Sequence, residues 1–403
     1  MVESKLVSKF KKSLAQLKSY CEAEDFKGWD PYDGMNSKVF QALPIKHWDL
    51  ARLAWIQGFK RSPINLRKLL LVPKEYNSMG VALFLLGYCR LYKAAENGCI
   101  EFGTEEGLLD RIKYLTELLL QMKVDGYSGA CWGYNFDWQA RRLFLFKKDT
   151  PTVVATAFCV EALIESHKIT KNQKTLEVAM SSAEFVLEDL SRTTHGKGHI
   201  FSYSIKDGNN TVINASLLGA KILSYSYKYR KLEEHAVMAR KAVLAACDLQ
   251  EDDGSWIYGL LPVQSWKDSF HTGFNLDAIE TYQQNTSDTS FQKNIDKGWT
   301  YYIENFFEAD GKPKYYHNKT YPIDIHCPAQ VIVTASKMNQ FKSYEDFLAK
   351  TLRWTIDNMQ SKKGYFYYQI KKGMSSKISY MRWSNAFMFN AMAHYYLESN
   401  QCL

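Results

Sequence analysis

Two histidines of this 403-residue chain each closely follow an aspartate at the start of an apolar stretch. Asp268 lies three residues before His271, and Asp324 lies two residues before His326. Histidine exchanges protons near neutral pH, and a neighbouring carboxylate can orient the imidazole or act on a substrate directly. A single aspartate at such a position is commonly a helix cap. The paired arrangement nevertheless predicts acid–base catalysis by these four residues.

An arginine and several aromatic residues supply candidate substrate contacts. The guanidinium of Arg382 can grip a carboxylate through two parallel hydrogen bonds, and aromatic rings offer flat faces that suit sugars. The predicted substrate-binding residues are Arg382, Trp383, Trp132, Tyr134, Trp138, Trp256, Asn214 and Tyr316. With the two histidines, this set would suit proton abstraction beside a uronate carboxylate, giving epimerisation or β-elimination. The tyrosines that could donate a proton or bind a hydroxyl are Tyr203, Tyr316 and Tyr321.

Glycoside hydrolysis is the other reaction that the sequence leaves open. It requires two carboxylates on either side of the scissile bond. The candidates are Asp30, Asp33, Asp137, Asp253, Asp268 and Asp324. Their spacing along the chain favours no particular pair. We predict no metal and no cofactor, because no zinc motif, phosphate-binding glycine loop or nucleophile elbow occurs in the sequence.

Six apolar segments must position these candidates. Each begins with polar or proline-containing residues and continues as about four turns of helix. The segments are Asn77–Lys93, Asp149–Ser166, Asn209–Ser224, Asp268–Tyr282, Ile323–Met338 and Met381–Tyr396. Their starts are 55 to 72 residues apart, which fits one helix pair plus a long loop. Because they are apolar nearly all round and rich in small residues, we expect them to form an inner ring.

A more polar, amphipathic helix is predicted before each apolar segment. Five of these outer helices are Leu108–Lys123, Thr175–Leu190, Leu232–Leu249, Phe291–Phe307 and Tyr344–Gln360. The first pair takes either Lys5–Glu22 or His47–Phe59 as its outer member. No linker composition divides the chain, so residues 1–403 are predicted to form one all-α domain, an (α/α)6 toroid. The inner helices then run parallel, and we predict the site at the face where their N-termini meet.

The loops that follow outer helices carry a glutamine, then glycine, then an aromatic residue. The pattern occurs as Gln121 with Gly126, Gly129 and Trp132, as Gln250 with Gly254 and Trp256, and as Gln360 with Gly364, Tyr365 and Phe366. Glutamine can bond backbone groups at a helix C-terminus, glycine supplies the turn, and the ring packs back on the helices. We therefore interpret these residues as staples between repeats. Trp132, Tyr134 and Trp138 are too many rings for one staple, and they indicate a binding surface.

This recurrence is similar to the QW repeat of squalene–hopene cyclases, and the helix pairs resemble the toroids of terpenoid cyclases, prenyltransferase β-subunits and six-hairpin glycosidases. More closely, segments along nearly the whole chain resemble bacterial proteins encoded in capsule and O-antigen biosynthesis clusters. These segments are Gly28–Gln41, Phe59–Lys74, Trp132–Arg141, Val212–Ala220, Phe270–Ile279, Tyr321–Gln330 and Tyr380–Met388. The resemblance implies an (α/α)6 toroid with a role in surface polysaccharide metabolism. The acidic DxDD cluster that a terpenoid cyclase needs is missing, which counts against cyclase chemistry.

Composition narrows the classes further. Lysine and arginine number 51 and aspartate and glutamate 43, and this net charge of +8 comes with short, scattered basic runs that favour solvated faces over a nucleic-acid surface. The eight cysteines form no CxxC pair and several lie in apolar helical patterns, which predicts buried free thiols and a reducing compartment. No signal-peptide core and no membrane span are predicted. We therefore expect a cytoplasmic protein.

Three functional hypotheses follow. The first is an enzyme of capsule or O-antigen synthesis that acts on a sugar, a uronate-containing glycan or a lipid-linked precursor as an epimerase, lyase or hydrolase. The second is a terpenoid-type toroid that handles a prenyl chain, and the third is a non-catalytic scaffold in a polysaccharide assembly complex. The centre of the ring distinguishes them. Polar groups among rings indicate a sugar site, a deep apolar tunnel indicates a prenyl chain, and a plugged centre indicates a scaffold. The oligomeric state stays open.

Overall fold

The computed structural model describes residues 2–139, 145–205 and 210–399. The α-helices of these parts of the chain are α1 (Val2–Ala23), α2 (Lys38–Ala42), α3 (Asp49–Arg61), α4 (Ser78–Glu96), α5 (Glu105–Gln121), α6 (Val153–Thr170), α7 (Gln173–Glu184), α8 (Ile213–Arg230), α9 (Glu233–Asp248), α10 (Ser269–Thr286), α11 (Gln292–Phe306), α12 (His326–Lys337), α13 (Glu345–Met359) and α14 (Phe387–Glu398). There are also two π-helical segments: Phe185–Asp189 follows α7, and Met381–Ala386 precedes α14.

Six helices form a closed inner ring. In chain order, α4, α6, α8, α10, α12 and α14 each contact the next, and α14 returns to contact α4. Small residues permit the close packing: a Cβ on Gly273 of α10 would collide with Gln330 of α12. The predicted (α/α)6 toroid is confirmed, and each inner helix begins within a few residues of its expected start.

The outer helices cover this ring in the order that the sequence predicts. α5 packs on α4 and α6, α7 on α6 and α8, α9 on α8 and α10, α11 on α10, and α13 on α12. α1 contacts α13 and α14 and so closes the outer layer. Of the two expected outer members of the first pair, Lys5–Glu22 is therefore correct. His47–Phe59 instead contains most of α3, which packs on two 3-10 turns, Asp33–Asn36 and Pro44–His47.

Short strands occur between the helices along the chain. They are β1 (Trp138–Gln139), β2 (Leu145–Phe146), β3 (Arg192–His195), β4 (Gly198–Phe201), β5 (Ile323–Asp324), β6 (Tyr367–Lys371) and β7 (Met374–Ser379). β1 pairs with β2, β3 with β4, and β5–β6–β7 form one sheet, all antiparallel. The sequence did not predict these hairpins.

The glutamine staples join successive outer helices at two of the three expected places. Gln250 donates to the backbone carbonyl of Asn294 near the start of α11 (3.0 Å). Gln360 donates to the carbonyl of Ser13 in α1 (3.0 Å) and accepts from its hydroxyl (2.7 Å). Gln121 differs, because it is exposed and donates to a side chain of its own helix. The interpretation as staples is confirmed at Gln250 and Gln360 and is wrong at Gln121.

Five glycines, each following an outer helix in the chain, provide a second link between outer helices. A Cβ at each would overlap the backbone of the next outer helix: Gly129 on Ser181, Gly198 on Lys241, Gly254 on Lys297, Gly311 on Lys350 and Gly364 on Gln16. These contacts join each outer helix to the next: α5 to α7, α7 to α9, α9 to α11, α11 to α13, and α13 to α1. Side chains larger than hydrogen would push the repeats apart.

A buried salt-bridge network joins the midpoints of α6, α8 and α10 and includes the last residue of α12. Lys221 of α8 bonds Glu161 of α6 and Asp277 of α10, each at 2.8 Å, and Lys337 of α12 also pairs with both carboxylates. The two acids hold the pKa of Lys221 well above its usual value, against the effect of burial. The centre of the ring is filled with side chains at this level.

The cysteine prediction holds at most of the described positions. Cys21, Cys89, Cys131, Cys159, Cys247 and Cys327 are buried free thiols. Cys99 is disulfide-bonded, so the expectation of a free thiol is wrong there. Across the described residues, no helix combines the length and apolarity that a membrane crossing requires.

Candidate functional site

The N-terminal ends of the inner helices surround a cavity of about 320 Å³. Its walls come from α10, α12, the Met381–Ala386 segment, α3 and the loops around β1 and β2. Aromatic side chains dominate the lining: Tyr32, Tyr134, Phe136, Trp138, Phe146, Tyr203, Tyr258, Trp266, Phe270, Phe274, Tyr315, Tyr316 and Trp383. Polar groups lie among these rings, including both candidate histidines.

His271 lies in the first turn of α10 and is partly buried at the cavity wall. The carboxylate of Asp268 caps this helix by accepting the backbone N–H of His271 (3.1 Å), and it also bonds the ring Nδ1 (2.7 Å). Trp266 donates its indole N–H to the same carboxylate (2.8 Å) and so fixes its orientation. Because Asp268 holds Nδ1, the other ring nitrogen, Nε2, is left to exchange a proton in the cavity.

His326 begins α12, the neighbouring inner helix, and is almost completely buried. Its ring stacks on Phe270 (4.3 Å between centroids) and meets Trp383 edge-on (5.1 Å). Burial, with the nearby His271 and Arg382, lowers the pKa of His326 well below its usual value. The imidazole is therefore neutral near pH 7 and offers one donor and one acceptor. Neither ring nitrogen has a hydrogen-bond partner among the described residues.

Asp324 contacts protein groups and does not line the cavity. It is completely buried and accepts from the backbone N–H of His326 (3.0 Å), the amide of Gln369 (2.6 Å) and the indole of Trp383 (2.9 Å). Burial raises its pKa to about 6, although these hydrogen bonds oppose the shift. Its geometry is that of a positioning residue for the first turn of α12 and for Trp383.

Arg382 lines the cavity, but most of its hydrogen-bonding capacity is already used. Nε and Nη2 bond the two carboxylate oxygens of Asp30 (2.7 and 2.9 Å), which also keeps the arginine charged. The guanidinium lies over the rings of Tyr134 and Trp383, 5.2 and 5.1 Å from their centroids. The expected two-pronged grip on a substrate carboxylate therefore conflicts with the structure, because Asp30 occupies that edge. Nη1, near the sulfur of Met79, is the remaining donor.

The predicted ring residues divide into two groups. Tyr134, Trp138, Tyr316, Trp383 and the amide residue Asn214 line the cavity. Trp132 and Trp256 do not, because each is buried between helices and donates its indole N–H to a backbone carbonyl of the preceding outer helix, at 2.8 Å. These two tryptophans are structural staples, and their assignment to substrate binding is corrected. The side-chain oxygen of Asn214 is buried without a partner among the described residues.

No aspartate or glutamate of the described residues lines the cavity. The six aspartates considered for a hydrolytic pair all bind protein groups: Asp30 with Arg382, Asp33 with Arg67, Asp137 with the Lys148 backbone, Asp253 with Ser255, Asp268 with His271, and Asp324 with Gln369. Nor do the described residues contain a group of three His, Cys, Asp or Glu side chains able to hold a metal ion.

Sequence reasoning missed the contribution of α3. Gln57 and Lys60 of this helix reach the cavity, and the ammonium of Lys60 lies 4.3 Å from the centroid of the Tyr32 ring. α3 stands outside the repeat, so helical periodicity gives no reason to bring it to the ring. Trp266 and Tyr258 were also missed, although Trp266 precedes Asp268 by only two residues, a spacing that could have drawn attention to it.

Comparison with known proteins identifies the fold but no family. No protein-family model and no curated protein matches the sequence. Among solved structures, cellobiose 2-epimerase from Bacillus thermoamylovorans B4167 is similar with a TM-score of 0.61 at 13% identity, covering 81% of this chain and 90% of that one. An unsaturated glucuronyl hydrolase specific for heparin gives 0.59 at 12% identity, covering 98% and 97%. A GH76 α-mannanase of Bacteroides thetaiotaomicron gives 0.56 at 12% identity, covering 80% and 85%. At such low identities these similarities establish that the chain has the (α/α)6 toroid fold.

Proposed function

We propose that this protein is a carbohydrate-active enzyme that moves a proton on a sugar held in the cavity, with epimerisation as its reaction. The observation that carries the proposal is the pair of histidines on one aromatic cavity that no described carboxylate lines. The epimerase and glycan hydrolases among the structurally similar proteins support a carbohydrate substrate.

His271 is the proposed base. With its Nδ1–H donated to Asp268, Nε2 carries the lone pair and takes a proton from the carbon beside the carbonyl of an open-chain sugar. The electron pair of the broken C–H bond forms a C=C bond, the carbonyl π electrons move onto the oxygen, and an enediolate results. Asp268 stabilises the imidazolium that forms on His271. Rotation about the neighbouring C–C bond then presents the other face of the same carbon to His271, and the imidazolium returns a proton to it, which yields the epimer and restores the neutral base.

His326 is the proposed partner of the sugar oxygen. A buried polar group without a hydrogen bond costs about 1–3 kcal/mol, so the two unpartnered nitrogens of His326 favour a polar ligand in the cavity. As a neutral ring it donates an N–H to the developing oxyanion without carrying a charge itself. The unpartnered oxygen of Asn214 favours a hydroxyl nearby.

A neutral sugar fits better than a uronate. Asp30 already neutralises Arg382 and occupies the edge that would bind a carboxylate in two-pronged fashion. The aromatic lining suits the apolar faces of sugar rings. The cavity walls are both polar and aromatic, and charged side chains fill the middle of the inner ring, which argues against a tunnel for a prenyl chain. The open cavity argues against a scaffold with a plugged centre. Hydrolysis lacks the two facing carboxylates that it needs.

The biological context is the finer part of the proposal. The resemblance of the sequence to proteins of capsule and O-antigen clusters supports a role in surface polysaccharide synthesis, on a free or lipid-linked sugar. Deletion of the gene in its native host, with analysis of the surface glycan, tests that role. An unchanged glycan would contradict it and would leave the proposed reaction to be judged separately.

Turnover of defined sugars tests the reaction. We expect the purified protein to convert at least one of D-glucose, D-mannose, N-acetyl-D-glucosamine or cellobiose to its epimer, followed by proton NMR. His271→Asn and His326→Asn should each lower kcat by at least about 100-fold. His167→Asn is the matched control, because His167 lies in the last turn of α6, at the opposite end of the inner ring. Equal activity in all three variants would contradict the assignment.

A further inference from the structure

Exposed apolar side chains concentrate in the segment that carries α3. Six large hydrophobic residues between positions 43 and 71 are exposed: Leu43, Trp48, Leu50, Ile64, Leu69 and Leu71. Trp48, Leu50 and Leu69 are 64%, 72% and 75% exposed, which is unusual for residues of this size. We call these six exposed residues the apolar face. Hydrogen bonds from Lys38 and Ser37 to the carbonyls of Leu71 and Leu70 tie the two ends of the segment together.

α3 has apolar residues on its solvent side as well as its buried side. Leu50, Ala54, Gly58 and Arg61 are exposed and follow one another at helical spacing. Arg52, Ile56 and Phe59 form the buried side. A helix that only bordered water would carry polar residues at the exposed positions, so this side has the character of a surface that is covered in use.

Basic side chains lie in the same segment as the apolar face. Residues 38–74 contain eight lysines and arginines and a single acidic residue, Asp49. Three of the basic residues, Arg52, Arg67 and Lys74, form ion pairs, and Arg67 is buried. Lys38, Arg61 and Lys68 are exposed and take part in no ion pair among the described residues. This segment therefore has a large share of the excess positive charge of the sequence, although its basic runs are as short as those elsewhere in the chain.

The turn between β6 and β7 extends the same surface. Lys371 donates to the backbone carbonyl of Arg61 at the end of α3 (3.3 Å), which brings the turn beside the apolar face. Lys372 in this turn and Met374 at the start of β7 are exposed. Burial and the positive charges of Arg61 and Lys60 lower the pKa of Lys371, which indicates how closely the cations are gathered here.

We propose that the apolar face docks on the surface of a membrane that contains anionic lipids. Exposed Trp and Leu side chains insert at the level of the headgroups, and lysine and arginine around them attract the lipid phosphates. Protein interfaces are instead depleted of lysine, so the basic surroundings favour a lipid surface over a protein partner. This docking needs no membrane-spanning helix and does not depend on the proposed reaction.

Docking would bring the cavity to the membrane. Gln57 and Lys60 line the cavity from the same helix that exposes Leu50 and Ala54. α3 thus has side chains in both the cavity lining and the apolar face, and docking would place the cavity close to the lipid headgroups. A sugar that is attached to a lipid could then reach the histidines while its lipid stays in the bilayer.

Vesicle flotation with the purified full chain tests the proposal. We expect binding to vesicles of 30% phosphatidylglycerol in phosphatidylcholine and at least a ten-fold weaker partition to pure phosphatidylcholine. Binding should also weaken at least ten-fold between 0.1 and 0.5 M NaCl, because surface charges are screened. The double variant Trp48→Ser/Leu50→Ser and the charge reversal Arg61→Glu/Lys68→Glu should each weaken binding ten-fold or more. All four side chains are exposed, so the thermal unfolding midpoint should not change.

Ile100→Ser/Val237→Ser is the matched control, since both residues are exposed apolar side chains outside the segment. It should bind as the wild type does. Failure to float with anionic vesicles would overturn the proposal, as would equal loss in the control. Self-association of the wild type that Trp48→Ser/Leu50→Ser abolishes, without vesicle binding, would also overturn it and would identify the face as a contact between copies of the chain.

Discussion

At the scale of single residues, burial decides which proton carriers are charged. His326 is neutral because its ring lies among aromatic side chains, and burial raises the pKa of Asp324 to about 6. His271 keeps contact with the cavity and has a carboxylate behind it. These environments differ enough to give the two histidines separate roles, one as the base and one as a neutral donor.

Replacing His326 should flatten the dependence of stability on pH. The folded-state pKa is lowered, so the unfolded chain binds a proton that the folded protein does not, and stability falls as the pH drops below about 6.5. Between pH 7 and 5 this effect costs about 2 kcal/mol for one such histidine. Urea unfolding of His326→Asn should therefore show a loss about 2 kcal/mol smaller than that of the wild type. His47→Asn, at an exposed histidine, should keep the wild-type loss, and an equal loss in both variants would refute the explanation.

Asp268→Asn separates capping from catalysis. Asparagine caps helices as well as aspartate does, so the free energy of unfolding should change by less than about 1 kcal/mol. It cannot stabilise an imidazolium on His271, so kcat should fall by at least about 100-fold and the pH–rate profile should shift. Thr104→Ser, a cap exchange on the outer helix α5, is the control and should alter neither. A fall in kcat matched by a similar loss of stability would indicate a structural role alone.

Local spacing made part of the site predictable. The Asp268–His271 contact spans one helical turn, so sequence reasoning could find it. Asp30 and Arg382 are 352 positions apart, and only the closure of the ring brings them together. The sequence therefore showed Arg382 as a free cation when its carboxylate partner was already in the chain. α3 was missed for another reason, because it lies outside the helix repeat.

At the scale of elements, hydrophobic periodicity made most of the fold predictable. Helices whose apolar residues recur every three to four positions were predicted close to their observed bounds, because burial of one side against the ring requires that pattern. The two-residue strands at Trp138 and Ile323 have too few residues to show any period. The five glycine contacts were also not visible, since they depend on which backbone lies opposite.

The glycine contacts predict a sharp difference between two similar turns. Gly364 (φ +98°) abuts the backbone of Gln16 in α1, whereas a Cβ on Gly126 (φ +91°) would meet nothing within 4 Å. In both Gly→Ala variants the alanine must adopt a left-handed backbone conformation, which costs about 1 kcal/mol. Only Gly364→Ala adds a collision, so we expect it to lower the free energy of unfolding by at least about 1 kcal/mol more than Gly126→Ala does. Equal losses in urea unfolding would show that the close approach does not matter.

At the scale of the whole molecule, buried ion pairs connect the inner helices at the centre of the ring. Lys221 connects α6, α8 and α10 through Glu161 and Asp277. Lys221→Met would leave two buried carboxylates with Lys337 as their shared cation, and breaking such a pair costs about 3–5 kcal/mol. We expect a loss of at least about 2 kcal/mol in urea unfolding. Lys168→Met, at the more exposed partner of Glu165, should lose less than about 1 kcal/mol.

The most direct measurement of the central claim is solvent exchange at the sugar carbon beside the carbonyl. The wild type is incubated in D₂O with the sugar that it turns over most rapidly, and deuterium on that carbon is followed by proton NMR. The account predicts incorporation by the wild type and by His167→Asn, and at least about 100-fold slower incorporation by His271→Asn. No carbon-bound deuterium with any of the four sugars, or turnover that only releases new reducing ends from cellobiose, would contradict proton transfer by His271.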